Sequence, residues 1–133
     1  MKNEELIQIA AKARKNALTD ISNYAVGAAL LSKSGTVYLG ANIEDSTIPA
    51  MSVCAERCAI QNAISMGERK FDSIAIVGGN INIDKLDETI VPCGQCLQYI
   101  NDMCKDINII TISKEGVVSN KLEHYLNIPY VLK

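Results

Sequence analysis

No stretch of this chain stays apolar over the roughly 18 residues that a membrane-crossing helix needs, so nothing in it reads as a transmembrane segment. The first residues, MKNEELIQIAAKARKNAL, carry charge in every turn and lack the apolar centre of a secretory signal; they read as an amphipathic helix of a cytoplasmic protein. An excess of one charge is missing too. The 13 Lys and Arg against 15 Asp and Glu leave a net charge of −2. The basic residues form only short clusters such as Lys12, Arg14 and Lys15, the solvated side of the first helix. Nucleic-acid binding needs a basic face or stripe, so a small, weakly charged substrate suits this balance better than a polynucleotide. Repeats, low-complexity tracts and linkers are absent, and 133 residues fit one domain spanning 1–133.

What is present begins with an apolar content of 48%, enough for a core without disulfides. The five cysteines are an odd number in a chain without an export signal. A reducing compartment keeps thiols free, so the question is which of them coordinate, which react and which only pack.

Leu6, Ile9, Ala10, Ala13 and Ala17 lie at helical spacing. AVGAALLS and TVYLGANI are β-rich runs around Lys33, Ser34 and Gly35, a hairpin signal with Gly35 free to take positive φ. A loop with Pro49 leads to MSVCAERCAIQNAISMG, a helix that Ser52 is placed to cap and Gly67 to close. Residues 72–79 and INIITIS read as strands buried on both faces. Between them Pro92 opens a third helix, and SNKLEHYL reads as a short final helix. This alternation predicts an α/β fold, a mixed sheet sandwiched by helices.

Two pieces carry chemistry: Cys54-Ala55-Glu56-Arg57 and Pro92-Cys93-Gly94-Gln95-Cys96. Both fall at predicted helix starts, where unsatisfied N–H groups and a partial positive charge favour the thiolate that binds metal. Three thiolates would make a tetrahedral zinc site with one position left for water, the catalytic rather than structural pattern. Glu56, two residues after Cys54, would reach that position as a proton carrier without joining the metal. Three thiolates give Zn²⁺ a formal charge of −1. Arg57 is placed to offset part of it through a hydrogen bond to a cysteine sulfur, solvation on the helix surface being the alternative. Asn42 and Glu44 lie two apart at a strand end, so both face one way and can grip hydroxyl groups. Without a metal site nearby they would read as a turn and a solvated charge. Cys58, one helical turn after Cys54, and Cys104 read as packing thiols, and His124, the only histidine, as a surface residue.

CxE and PCxxC, each opening a helix, match the zinc-deaminase signature with cysteine in place of the histidine. The strings YAVGAALL, LGANIE, VCAER and PCGQC occur in the order of the small cytidine deaminases, which the chain resembles over nearly its whole length. The resemblance implies a three-layer α-β-α fold with a mixed central sheet and hydrolytic deamination of cytidine or deoxycytidine. It implies Zn²⁺ on Cys54, Cys93 and Cys96, with Glu56 as proton shuttle. Asn42 and Glu44 would bind the ribose hydroxyls, and Ala55 would offer its backbone to the pyrimidine. Tyr24 stands where the family usually has a phenylalanine against the base. A homotetramer with sites completed by neighbouring subunits is also implied.

Departures from the family pattern fall elsewhere. Nine residues separate Glu44 from Cys54, one more than usual. Ile48 precedes Pro49 where an aromatic is customary, Leu97 replaces an arginine, and Asp20-Ile21-Ser22 stands for proline-tyrosine-serine. The usual C-terminal residues are loosely echoed by Leu126, Pro129 and Tyr130. These positions leave open a modified nucleoside or a nucleoside antibiotic of the blasticidin type as substrate. A catalytically silent zinc domain would keep the cysteines but has no need of Glu56. Polynucleotide editing fits poorly with the weak acidity, and a thiol-redox role leaves Cys54 unexplained. Metal analysis separates that last reading: zinc near one per chain and insensitive to mild oxidant is expected, whereas oxidant-driven loss would point to redox chemistry.

Overall fold

The computed structural model describes residues 1–133. Along the chain run α1 (Asn3–Arg14), β1 (Tyr24–Ser32), β2 (Val37–Ala41), a 3-10 turn (Pro49–Met51), α2 (Ala55–Ser65), β3 (Phe71–Asn80), α3 (Gly94–Cys104), β4 (Asn108–Ser113), β5 (Gly116–Lys121) and a second 3-10 turn (Leu122–His124). The five strands form one sheet in the order β2-β1-β3-β4-β5. Only β3 and β4 run parallel; the other pairs are antiparallel. The sheet is therefore mixed, as expected.

Alternation along the central strands builds two cores. Ala28, Leu30, Ile74, Ile76 and Ile109 face one layer with Ala59, Ile60 and Ala63 of α2 and Leu97 and Ile100 of α3. Ala29, Ala75, Val77 and Ile110 face the other, against Leu6, Ile7 and Ala10 of α1. A strand turns successive side chains to opposite faces, so strands apolar at consecutive positions demand cover on both sides. That requirement yields the three-layer α-β-α architecture. Glu4 and Glu5 in the first turn of α1, and Lys12 and Arg14 in its last, complement the helix dipole.

Glycines set how closely the layers approach. A Cβ on Gly40 would run into the Ala55 carbonyl oxygen and the Ala59 nitrogen, so α2 lies with its first turn directly on β2. Gly27 gives α1 the same intimacy with β1. At the end of α2, Gly67 takes φ +95°. Its N–H donates to the Ile64 carbonyl and that of Glu68 to the Ala63 carbonyl, both at 3.0 Å, closing the helix as anticipated.

Two local expectations are corrected. Ser52 does not cap α2. Cys54 occupies the N-cap, and Ser52 Oγ instead accepts from the Asp45 N–H at 2.8 Å, bracing the preceding loop. Residues 119–126 are not a helix. Gly116–Lys121 forms edge strand β5, followed by the short 3-10 turn. A two-residue turn at Lys114 and Glu115, followed by Gly116 at φ +111°, folds this segment back on β4, where Val117 and Val118 pair with Ile112 and Thr111. The pairing available at the open edge of β4 outweighs the weak helical pattern.

The Gly40→Ala variant tests the seat of α2. Overpacking at this contact is expected to cost about 1–3 kcal/mol, read as a lower denaturation midpoint together with weakened metal retention.

Candidate metal centre and active-site cavity

Helices α2 and α3 lie on the same face of the sheet, and their first turns converge. Cys54 and Cys93 are the N-caps of the two helices, both extended (φ −76°, ψ 156° and φ −70°, ψ 169°), and neither uses its side chain to cap. Cys96 follows in the first turn of α3. The sulfur atoms of Cys54, Cys93 and Cys96 lie within 4.8 Å of one another. Tetrahedral zinc with Zn–S bonds of about 2.3 Å needs sulfurs about 3.8 Å apart, so a small inward movement suffices and the donor set fits. Cys58 stays outside the cluster. Cys54 has left helical geometry, so the i to i+4 relation that would align the two thiols does not apply. Cys104 is buried at the far end of α3, and burial pushes its thiol up to about 12, as befits a packing residue.

One member of the cluster is tuned toward thiolate. Cys54 is pulled down to about 5, chiefly because the Cys96 thiol donates to it and further because the Arg57 guanidinium stands beside it. The same shared proton, with burial, pushes Cys96 up. Arg57 Nη2 donates to the Ser52 carbonyl at 3.3 Å and lies 3.9 Å from Cys54 Sγ, while its buried Nε has no partner.

Glu56, second residue of α2, is only 5% exposed. Burial raises its carboxyl to about 7, and the neighbouring Cys54 charge adds to the effect. A carboxyl in that state can both accept and give a proton near neutrality.

Above these groups opens a cavity of about 720 Å³. Tyr24 and Val26 of β1, the loop 49–53, the start of α2 and residues 89–93 form its walls. Asn42, Glu44, Ala55, Glu56, Arg57, Cys54 and Cys93 all line it; Cys96 sits behind, fully buried. Asn42 Oδ1 accepts from the Val26 N–H and its Nδ2 donates to the Tyr24 carbonyl, each at 2.8 Å, so the amide plane is held against the end of β1. Glu44 Oε1 accepts from the N–H groups of Ile21 at 3.0 Å and Ser22 at 2.9 Å, and Oε2 from Ser22 Oγ at 2.6 Å. Burial works against the Glu44 charge, but the Ser22 hydroxyl and the two N–H donors outweigh it and hold the carboxyl below its usual range.

Tyr24 packs on Gly78, where an added Cβ would lie 2.8 Å from its ring, and its hydroxyl donates to Asp87 Oδ2 at 2.9 Å. Burial, then that bond, raises the phenol to about 12. His124 stacks edge-on against Tyr125 and lies outside the cavity lining. Sequence reasoning missed Ser22 and Asp87, whose partners lie 22 and 63 residues away, and the wall residues Thr89, Ile90 and Val91. No local pattern marks any of them.

Comparisons with known proteins agree with this geometry. Residues 1–111 match the family model for the cytidine and deoxycytidylate deaminase zinc-binding region. Over 101 residues, 76% of this chain and 69% of the relative, it is 42% identical to the cytidine deaminase of Sporosarcina psychrophila. The blasticidin-S deaminase of Bacillus cereus is 29% identical over 95% of this chain and 90% of that protein. The crystal structure of cytidine deaminase from Burkholderia pseudomallei superposes with a TM-score of 0.85 at 30% identity, covering 98% of this chain and all of the other. With its sulfur cluster, buried carboxyl and α-β-α layers, the chain belongs to the zinc-binding cytidine and deoxycytidylate deaminase family.

Proposed function

We propose that residues 1–133 form one zinc-dependent aminohydrolase that converts cytidine or deoxycytidine to the uridine product and ammonia. The observation that carries this reading is the convergence of three thiols and one buried, protonatable carboxyl at a single cavity. Cys54, Cys93 and Cys96 would hold the zinc. When bound, that ion supplies the acidity that makes water nucleophilic near neutral pH. Glu56 accepts the proton that water gives up and delivers it to the ring nitrogen beside the amine-bearing carbon. It then carries the second proton, released by the hydroxyl added to that carbon as the carbon–nitrogen bond breaks, to the departing amine, so water and substrate leave as ammonia and the oxo product. Burial of Glu56 suits it to both directions of transfer. Arg57 draws off part of the negative charge of the sulfur cluster, and the Ala55 backbone and Tyr24 border the base.

A nucleoside suits the cavity better than a nucleotide. Its only cationic lining residue is Arg57, already turned to Ser52 and Cys54, so a 5′-phosphate finds no partner there. The hydrogen-bonding capacity near Asn42 and Glu44 is also small. Glu44 Oε1 is filled by two N–H groups and Oε2 has one acceptor site left; Asn42 keeps one N–H and one acceptor site. One hydroxyl that accepts from Asn42 and donates to Glu44 uses the sole donor, so the second ribose hydroxyl is limited to one donation to the remaining acceptor site of Asn42.

Near-complete alignment with a blasticidin-S deaminase favours a nucleoside antibiotic as the second reading. Exposed Leu18, Ile21, Ile43, Ile48 and Met51 support burial of this side of the molecule in a homotetramer. The unpaired state of all the cysteines suits the cytoplasm, where the reaction would serve pyrimidine salvage. No helix is long and apolar enough to cross a membrane.

Ammonia release from cytidine, deoxycytidine, cytosine and blasticidin, with and without a chelator, tests the assignment. Cytidine and deoxycytidine are expected within about threefold of each other in kcat/KM, and 3′-deoxycytidine at least about tenfold lower, the loss expected when a polar pair covered by the ligand is left unmatched. Activity only on blasticidin would select the second reading. Glu56→Gln should retain zinc yet lose more than about 100-fold in kcat, as removal of a proton-transfer group does; substantial residual turnover would remove Glu56 from this role.

A further inference from the structure

The crossover from β3 to α3, residues 81–93, holds no regular secondary structure yet forms one wall of the cavity through Thr89, Ile90 and Val91. Its position rests on a few long-range bonds. At its start, the Ile81 N–H donates to the Asn23 carbonyl at 2.8 Å, and Arg14 Nη2 donates to the carbonyls of Asn80 at 2.9 Å and Ile83 at 3.0 Å. At its middle, the Asp87 N–H donates to the Gly78 carbonyl at 2.8 Å while the Asp87 carboxylate accepts from the Tyr24 hydroxyl at 2.9 Å. Two residues later the Thr89 N–H donates to the Ile112 carbonyl at 2.8 Å, with Thr89 held at φ +63°.

Asp87 is the one side chain in this segment that bonds to the facing wall. Tyr24 belongs to β1 and lines the same cavity, so the bond ties its two walls together at the level of the ring. The seat that Gly78 leaves for the ring fixes where the hydroxyl must be met. The phenol, raised to about 12, remains a donor throughout the physiological range.

We propose that Asp87 is a positioning residue: through the Tyr24 hydroxyl it fixes the crossover wall at the spacing that accepts a flat pyrimidine ring, and thereby sets substrate affinity without touching the reacting atoms. This role rests on the cytidine deaminase reading for its substrate, although the latch itself does not.

Hydrogen exchange of residues 81–93 and steady-state kinetics on cytidine, both with the zinc-loaded protein, test it. Asp87→Ala is expected to speed exchange across the crossover by about tenfold. It should raise KM about five- to tenfold, the worth of one hydrogen bond to a charged acceptor at a partly exposed site. Its kcat should stay within about twofold, with zinc content unaltered, because the proton carrier is untouched. Asp87→Asn, whose amide oxygen still accepts, should recover most of the affinity. Adding Tyr24→Phe to Asp87→Ala should raise KM no further, since both remove the same bond.

Unchanged exchange in Asp87→Ala overturns the latch whether or not cytidine is a substrate. Faster exchange with an unchanged KM, an equal loss of kcat, or additive effects of the two substitutions overturns its role in affinity. If the unaltered protein does not turn over cytidine, the functional reading fails, and the exchange data alone decide the latch.

Discussion

Two helix N-termini meeting over one face of a sheet is the constraint on which the rest of the molecule depends. Strands β3 and β4 are parallel neighbours, so the chain between them must cross the sheet, and α3 makes that crossing. Its first turn then stands at the end of β3, beside the first turn of α2. Because Gly40 lets α2 settle directly on β2, Cys54 reaches Cys93 and Cys96. The backbone N–H groups at both helix starts favour negative sulfur. Placing Cys54 and Cys93 at N-cap positions frees these two thiols from the helical repeat, and Cys96 joins them from within the first turn of α3.

Charge and burial divide the labour at the centre. Sulfur carries the negative charge of the cluster, and Arg57 is the only cation near enough to answer it. Glu56, enclosed between the helix and that charge, is driven toward the protonated state and kept in reach of a proton at neutral pH. Other wall side chains are held by hydrogen bonds that do not involve the sulfur atoms. Ser22 and two backbone N–H groups hold the Glu44 carboxylate, the end of β1 holds the Asn42 amide, and Asp87 meets Tyr24. Preorganised side chains of this kind shape a ligand site without spending binding energy on ordering it.

Much of this was legible beforehand, for identifiable reasons. Strands apolar at consecutive positions, Ile74 to Val77 above all, required helices on both faces, and the layers followed. Cys54, Glu56, Cys93 and Cys96 stand in short motifs whose spacing is set by the first turn of a helix, so their convergence could be anticipated. Edge strand β5 could not be read, because Gly116–Lys121 has no strong period of its own and is extended only by pairing with β4. The role of Ser52 was misassigned because a hydroxyl before a helix is a common cap, whereas here a cysteine holds that place and Ser52 is drawn to Asp45.

The amino-acid order by itself determined the layer architecture and the short motifs that carry the three cysteines and Glu56, since each is written in residue types at helical or strand spacing. Tertiary structure alone decided how close the sulfurs come, how deeply Glu56 is buried, how many hydrogen-bonding sites Asn42 and Glu44 have left, and that Asp87 meets Tyr24. Those quantities depend on residues far apart in the chain, whose distances are settled only when the sheet closes its register and the helices come to rest upon it.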